Sequence, residues 1–312
     1  MTLRSFLVEE WLPSKAEKST ATQAQYRWAA DRLCAALGEA QLSGLTARQV
    51  QAFHEGLRAD GLSSRSRQAL GKVLRMALSD AVKRGYLVRN VADAVTLPSG
   101  ERRGEIALWS REQASEFLAA RAADRHFPIW MLALATGLRR GELCALRWID
   151  LDLDTARLFV RQAVGLDGYE TSVGKPKSRA SIRTIGIDED TIAVLRDWAI
   201  RQAVELEFVG RSSELVATRA DGAALHPQTL ALIFKRAFKD SGLADIGLHG
   251  LRHTHATMLL EAGVPLKVVS ERLGHSSIAM TADTYQHVLD HMQDKAALAM
   301  RGLGPGLRVS GA

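Results

Sequence analysis

The chain has 312 residues, enough for two domains of ordinary size, and its 46% hydrophobic and 24% charged content suits a packed globular protein rather than a disordered or fibrous one. No apolar run approaches the ~20 residues of a membrane span, and Glu9 and Glu10 interrupt the N-terminus before a signal-peptide core can form. Net charge is +6, and the excess is local: residues 1–104 carry 16 basic and 10 acidic side chains, the remainder 25 of each. Residues 61–90 hold seven basic side chains and one acid, Asp80, the footprint of either a polyanion contact or a solvated basic face. Cys34 and Cys144 lack metal-ligand spacing and read as buried free thiols rather than a disulfide.

Residues 1–97 read as helical. Tyr26, Ala29, Ala30, Leu33 and Leu37 fall at helical spacing before Gly38. Thr46 is placed to cap a helix through Val50, Phe53 and Leu57. Residues 64–84 carry an apolar stripe (Leu70, Val73, Leu74, Ala77, Leu78, Ala81) with Arg65, Lys72 and Arg75 on another face. A Pro/Gly-broken, charged stretch over 98–105 reads as a linker. Ser110 and Gln113 form a capping-box pattern, and the almost wholly apolar run 127–136 predicts a buried helix stopping at Gly137. The period then changes. Leu158, Val160, Ile182, Ile185 and Ile187 fit short strands of a small antiparallel sheet, with turns at Asp154-Thr155 and Asp167-Gly168. Helices return at about 189–207, 227–241, 249–261 and 265–273, and the tail after Gly302 reads as poorly ordered.

Several polar residues stand out against this frame. Arg139, at the end of the apolar helix, must be paired or face a cleft, because burying a lone guanidinium is costly; Glu142, three residues on, is the candidate partner. His249 and Arg252 share one helix face and could offer an imidazole and a guanidinium to the same anion. His249 and His253, four apart, have the spacing of a helical zinc site, but no Glu follows His249 and no acidic third ligand stands nearby, so no metal is expected. His275 after Gly274 is either a helix C-terminal cap or a presented ligand. Lys175 and Lys177 sit in a turn between predicted strands, and Tyr285 is the hydroxyl that comes after this set.

Taken in order, Thr136-Gly137-Leu138-Arg139-Arg140-Gly141-Glu142, Pro176-Lys177-Ser178, His249-Gly250-Leu251-Arg252-His253, Leu273-Gly274-His275 and Asp283-Thr284-Tyr285-Gln286-His287-Val288 give residues 106–292 a specific resemblance to the catalytic domain of the tyrosine recombinases, the phage integrase family. Residues 1–97 resemble, more weakly, that family's helical core-DNA-binding domain. The resemblance implies a mainly α fold with a small antiparallel sheet: a helical N-terminal domain plus an α+β catalytic domain. It also implies that the segment 293–312 contains a protomer contact, with Ala296, Ala297, Leu298 and Met300 as its apolar surface; packing on the chain's own domain is the alternative.

By the same resemblance Tyr285 is the nucleophile, giving a 3′-phosphotyrosyl link. Arg139 and Arg252 would clamp the phosphate, His249 and His275 hydrogen-bond it, and His249 would be a candidate to take the tyrosine proton. Lys177, with Lys175 as the alternative, would be general acid to the 5′-oxygen, and Glu142 would support Arg139. The chemistry conserves the phosphodiester energy and needs no metal, nucleotide or other cofactor. The expected partners are double-stranded DNA at specific recombination sites and a homo-tetramer on that DNA, with accessory DNA-bending or directionality factors. The expected location is the cytoplasm, at the nucleoid. Arg65, Lys72 and Arg75 are the phosphate-contacting candidates, and binding should be strongly salt-dependent. The Ser181-Ile182-Arg183-Thr184-Ile185 context looks more like mobile-element integrases than chromosome-dimer resolvases of the Xer type. Rival readings are such a resolvase, a type IB topoisomerase and a DNA-binding relative that no longer cleaves.

Overall fold

The computed structural model describes residues 1–96, 107–167, 170–174, 176, 178–285 and 298. The predicted linker, Lys175, Lys177, Gly168 and, apart from Leu298, the segment 293–312 lie outside the described residues. Among the described residues the chain is mostly helical, with two small sheets. It divides into two compact units, Met1–Ile106 with Leu166–Glu170, and Ala107–Gly165 with Thr171–Ala312.

In the first unit a short helix α1 (Leu3–Ser5) continues as π turns over Phe6–Trp11, followed by α2 (Thr20–Leu37), α3 (Ala47–Ala59) and α4 (Ser64–Lys83). Leu3, Phe6, Trp11, Leu33, Phe53, Leu70, Leu74 and Leu78 form its core. The capping box expected at the start of α3 is made: the Thr46 hydroxyl accepts from the Gln49 amide at 3.3 Å, and Gln49 Oε1 accepts from the Thr46 amide at 2.9 Å. Asp80 turns inward, taking a hydrogen bond from Trp11 Nε1 at 3.1 Å and pairing with Lys15 at 2.6 Å. The single acid of the basic window therefore serves the fold. Arg65 and Lys72 are exposed and pair with no acid among the described residues. Arg75 departs from the expectation of a free basic face. Its Nη2 donates to the carbonyls of Ala92 and Val95, both at 3.0 Å, and its Nε lies 3.2 Å from Asp93. It anchors the 3₁₀ turn Val91–Ala94 by adding a donor to the Ala92 carbonyl, which also accepts the Val95 amide, and by supplying one to the Val95 carbonyl.

The second unit begins with α5 (Arg111–Ala120), α6 (Phe127–Thr136) and α7 (Arg140–Ala145). Strands β1 (Leu151–Asp152), β2 (Arg157–Val160), β3 (Ala163–Asp167), β4 (Glu170–Gly174) and β5 (Arg183–Gly186) come next. Then come α8 (Glu189–Phe208), α9 (Pro227–Phe238), α10 (Gly247–Glu261) and α11 (Leu266–Leu273), and residues 278–285 are again helical. The expected single sheet is two: an antiparallel β1-β2-β5 sheet, with Leu158 opposite Ile185, and a separate β3-β4 pair. Ile182 is half exposed and precedes β5; the inward positions are Leu158, Val160 and Ile185, all buried. The α9 helix ends at Phe238, short of 241, and α10 opens at Gly247.

Apolar on every side, α6 packs against α8 and α10. Around it Trp109, Phe117, Trp130 and Phe234 interlock, with ring centroids 4.9 Å (Trp109–Phe117) to 5.9 Å (Trp109–Phe234) apart. Two helix ends place polar side chains beside this core. The α6 helix stops at Gly137 (φ 64°) and α11 at Gly274 (φ 68°), both left-handed. Each glycine turns the chain sharply, so that Arg139 comes after the first and His275 after the second. A Cβ on Gly137 would sit 2.6 Å from His255 Cδ2 and 3.0 Å from Leu273 Cδ2. Gly137→Ala therefore meets both backbone strain and a clash. It should destabilise the second unit by about 2 kcal/mol or more, lowering its midpoint in scanning calorimetry by roughly 4–8 °C; an unchanged midpoint contradicts this packing.

Candidate active site

The site is assembled around a buried carboxylate. Arg139 occupies the N-cap of α7, and Glu142, three residues in, accepts its amide N–H at 2.8 Å and its Nη1 at 2.9 Å. From β5, Arg183 reaches the same carboxylate bidentately, Nη1 to Oε1 at 3.0 Å and Nη2 to Oε2 at 2.9 Å. Burial alone would raise the Glu142 carboxyl, but the bonds and charges of Arg183 and Arg139 outweigh it and hold it below the usual range. Glu142 is thus an anion at neutral pH, and Arg139 is fixed at its base.

The outer end of Arg139 donates from Nη2 to the Gly274 carbonyl at 2.8 Å, and its side chain stays about one-third exposed. It borders a cleft of about 610 Å³ lined also by Gly141, Val164, Pro176, Ser178, Ser181 and Met280. Arg252, on α10, is buried and joins both left-handed helix ends: Nη1 to the Gly137 carbonyl at 2.8 Å and Nη2 to the Leu273 carbonyl at 2.7 Å. Helix C-terminal carbonyls welcome such a cation. Two of its five donors are engaged this way. Burial, and then Arg139, pull Arg252 down to about 9, which leaves it charged at neutral pH.

A second layer holds the turn before His275. Arg183 Nε donates to the Arg272 carbonyl at 2.6 Å. Arg272 Nη2 donates to the carbonyls of Ala135 (2.8 Å) and Gly186 (3.0 Å), and its Nε donates to His255 Nε2 at 3.1 Å. His255 Nδ1 lies 2.7 Å from the Leu134 carbonyl. One nitrogen must donate and the other accept, which fixes a neutral ring; burial and the charge of Arg272 push it down to about 3.

His249 and His275 are each held down to about 4, first by burial and then by charged neighbours, among which Arg252 and Arg139 act on both. His275 Nδ1 is 2.7 Å from the Thr281 hydroxyl. The arginines crowded around these two neutral imidazoles leave a field suited to an anion. Tyr285 is buried, in a small cluster with Ala256, Leu260, Val269 and Leu273. Burial raises its phenol to about 12, against the opposing pull of Arg252. Its hydroxyl lies 2.8 Å from His253 Nδ1, and the His253 ring meets His249 edge-on at 4.8 Å.

The structure therefore joins Arg139, Glu142 and Arg252 through the Gly137–Arg139 and Leu273–His275 turns and puts His249 one helical turn from Arg252. Lys177 and Lys175 fall outside the described residues. Sequence reasoning did not single out Arg183, Arg272 or the His253–Tyr285 contact. An arginine alternating with Ile185 on a predicted strand was the available sign for Arg183.

Residues 111–292 match the phage integrase family. The chain is also 31% identical to a "Tyrosine recombinase XerC-like" protein of Caldanaerobacter subterraneus subsp. tengcongensis, covering 84% of this chain and 72% of the relative. The chain belongs to the phage integrase family. It is a tyrosine recombinase, a site-specific DNA recombinase. The "ICEBs1 integrase" of Bacillus subtilis (strain 168) is 29% identical over 83% of this recombinase and 71% of that protein. In fold, the recombinase resembles the Tn1549 transposon integrase solved in complex with transposon right end DNA (TM-score 0.83, 19% identity, 95% of this chain and 100% of that one). It also resembles a lambda integrase dimer bound to a COC′ core site (TM-score 0.69, 21% identity, 91% and 95%).

The depressed histidines give the recombinase a pH signature. Unfolding returns His249, His255 and His275 toward their ordinary 6.5 from about 4, 3 and 4. Below 6.5 the unfolded chain binds protons that the folded chain refuses, so stability is full above that pH and falls as pH drops toward 4. The thermal midpoint of the second unit should fall between pH 6.5 and 5, above the carboxylate range, and His255→Gln should flatten the fall. A midpoint flat across that window contradicts the neutral histidines.

Proposed function

We propose that this recombinase cuts and rejoins duplex DNA at specific recombination sites with Tyr285 as nucleophile. The observation that carries the reading is the Arg139–Arg252 pair, fixed on the two left-handed helix ends, with Arg139 bordering a cleft whose field favours an anion and Arg252 buried behind it. A phosphodiester resists attack because its anionic oxygens repel the nucleophile and its alkoxide leaves poorly. Arg139 and Arg252 offset the charge that builds on the non-bridging oxygens. Neutral His249 and His275 supply hydrogen bonds to the same oxygens. Tyr285 becomes linked to the 3′-phosphate, and Lys177, or Lys175 in its place, protonates the departing 5′-oxygen. The phosphotyrosine conserves the bond energy, so the 5′-hydroxyl of another strand can displace the tyrosine with neither metal nor nucleotide.

The N-terminal unit takes the role of a core-DNA-binding domain, with exposed Arg65 and Lys72 on α4 as phosphate contacts. The recombinase works as a homo-tetramer on DNA, with the segment 293–312 contributing a protomer contact and accessory DNA-bending or directionality factors assisting. Its place of action is the nucleoid in the cytoplasm; among the described residues no helix is long and apolar enough to cross a membrane.

The test is a pool of nicked synthetic duplexes with randomised cores, incubated with the chain in chelator and without nucleotide. A covalent protein–DNA adduct should form, vanish with Tyr285→Phe, and form about 10²–10³-fold more slowly with Arg139→Ala or Arg252→Ala. An adduct that survives Tyr285→Phe, or no adduct from the parent chain, overturns the reading.

A further inference from the structure

We propose that His253 is a catalytic residue, the group that takes the proton of the Tyr285 hydroxyl as that oxygen attacks phosphorus. The inference rests on Tyr285 being the nucleophile and assigns a step of that reaction to a side chain outside the set named from the sequence.

The geometry singles out His253 among four histidines. Its Nδ1 lies 2.8 Å from the Tyr285 oxygen, within the range for direct proton transfer. His275 Nδ1 is instead at 2.7 Å from the Thr281 hydroxyl. Both nitrogens of His255 are engaged, by the Leu134 carbonyl and by Arg272. His249 meets His253 ring-to-edge, and among the described residues it makes no hydrogen bond to the phenol. His253 is also next in sequence to Arg252, whose charge acts on Tyr285. The anion clamp and the proton acceptor therefore occupy adjacent positions of α10. A phenol raised to about 12 by burial does not ionise unaided at neutral pH, so attack needs an acceptor coupled to it.

The step balances within the site. With the His253 proton on Nε2, the Nδ1 lone pair accepts the hydroxyl hydrogen. The Tyr285 O–H bond breaks, the Nδ1–H bond forms, and the phenolic oxygen pair bonds to phosphorus. The phosphorus bond to the 5′-oxygen breaks, and that oxygen takes its proton from Lys177, or Lys175 in its place. On rejoining, His253 Nδ1–H returns the proton as the phosphotyrosine is displaced.

The experiment measures single-turnover adduct formation by the full chain on the most reactive duplex recovered from the randomised nicked pool. His253→Ala should slow adduct formation by about 10²-fold or more, and His253→Gln, which keeps a hydrogen-bonding group but is no base, should lose a similar amount. Replacing Tyr285 with a fluorinated tyrosine, whose phenol is more acidic, should recover at least about tenfold of the loss in the His253→Ala background and change the parent little. A substrate with sulfur in place of the leaving 5′-oxygen should leave the His253→Ala defect in place, since it substitutes for the acid and not for the acceptor. Parental rates in His253→Ala, full rescue by His253→Gln, or a defect that fluorotyrosine does not relieve would overturn the assignment while Tyr285 still forms the adduct. If the parent forms none on Tyr285, the proposed function itself fails, and the two failures are told apart.

Discussion

A single buried carboxylate, Glu142, carries the architecture of the catalytic unit. It accepts four hydrogen bonds, two from Arg139 and two from Arg183. A buried charge is tolerated only when its partners are in place, and removing one partner of such a pair costs on the order of 3–5 kcal/mol. Glu142 therefore does more than neutralise a cation. It fixes Arg139 at the N-cap of α7, draws β5 against that helix, and through Arg183 reaches the Arg272 carbonyl at the end of α11. The turn before His275 and the turn carrying Arg139 are thereby set by one anion.

The other constraint is the pair of helix ends at Gly137 and Gly274. Their left-handed conformation leaves carbonyls that need donors, and arginines supply them. Arg252 serves Gly137 and Leu273, and Arg139 serves Gly274. The guanidinium groups thus tie the two helix ends together, which fixes their own positions. Preorganisation of this kind suits a reaction in which charge accumulates on phosphoryl oxygens, because the donors need not be rearranged as the barrier is crossed. Burial, and then the charged neighbours that include Arg252 and Arg139, keep His249 and His275 neutral. As neutral rings they add no further cations to an already positive site.

Much of this was legible in the sequence, and the reasons differ by element. Helices with a cap and a stripe, such as α3 after Thr46 and α5 after Ser110, obey local rules, and both form where those rules place them. The length of α9 and the split of the sheet were not legible, because helix ends and strand pairing answer to tertiary contacts rather than to spacing. The cation Arg75 shared a face with Arg65 and Lys72, yet the carbonyls of Ala92 and Val95, on a later turn, claim it. Arg183 pairs with a carboxylate 41 residues earlier, and His253 meets a tyrosine 32 residues later. No local pattern encodes those distances. The ordered blocks around Arg139, His249, Arg252, His275 and Tyr285 revealed the family, but which histidine touches the phenol is a matter of packing.

The central claim is that one oxygen, that of Tyr285, becomes joined to DNA. Tandem mass spectrometry of the trapped protein–DNA complex, after digestion with protease and nuclease, tests this most directly. The account predicts a nucleotide remnant on the peptide containing Tyr285, linked through its 3′-phosphate. A remnant on any other residue, or one linked through a 5′-phosphate, would contradict it.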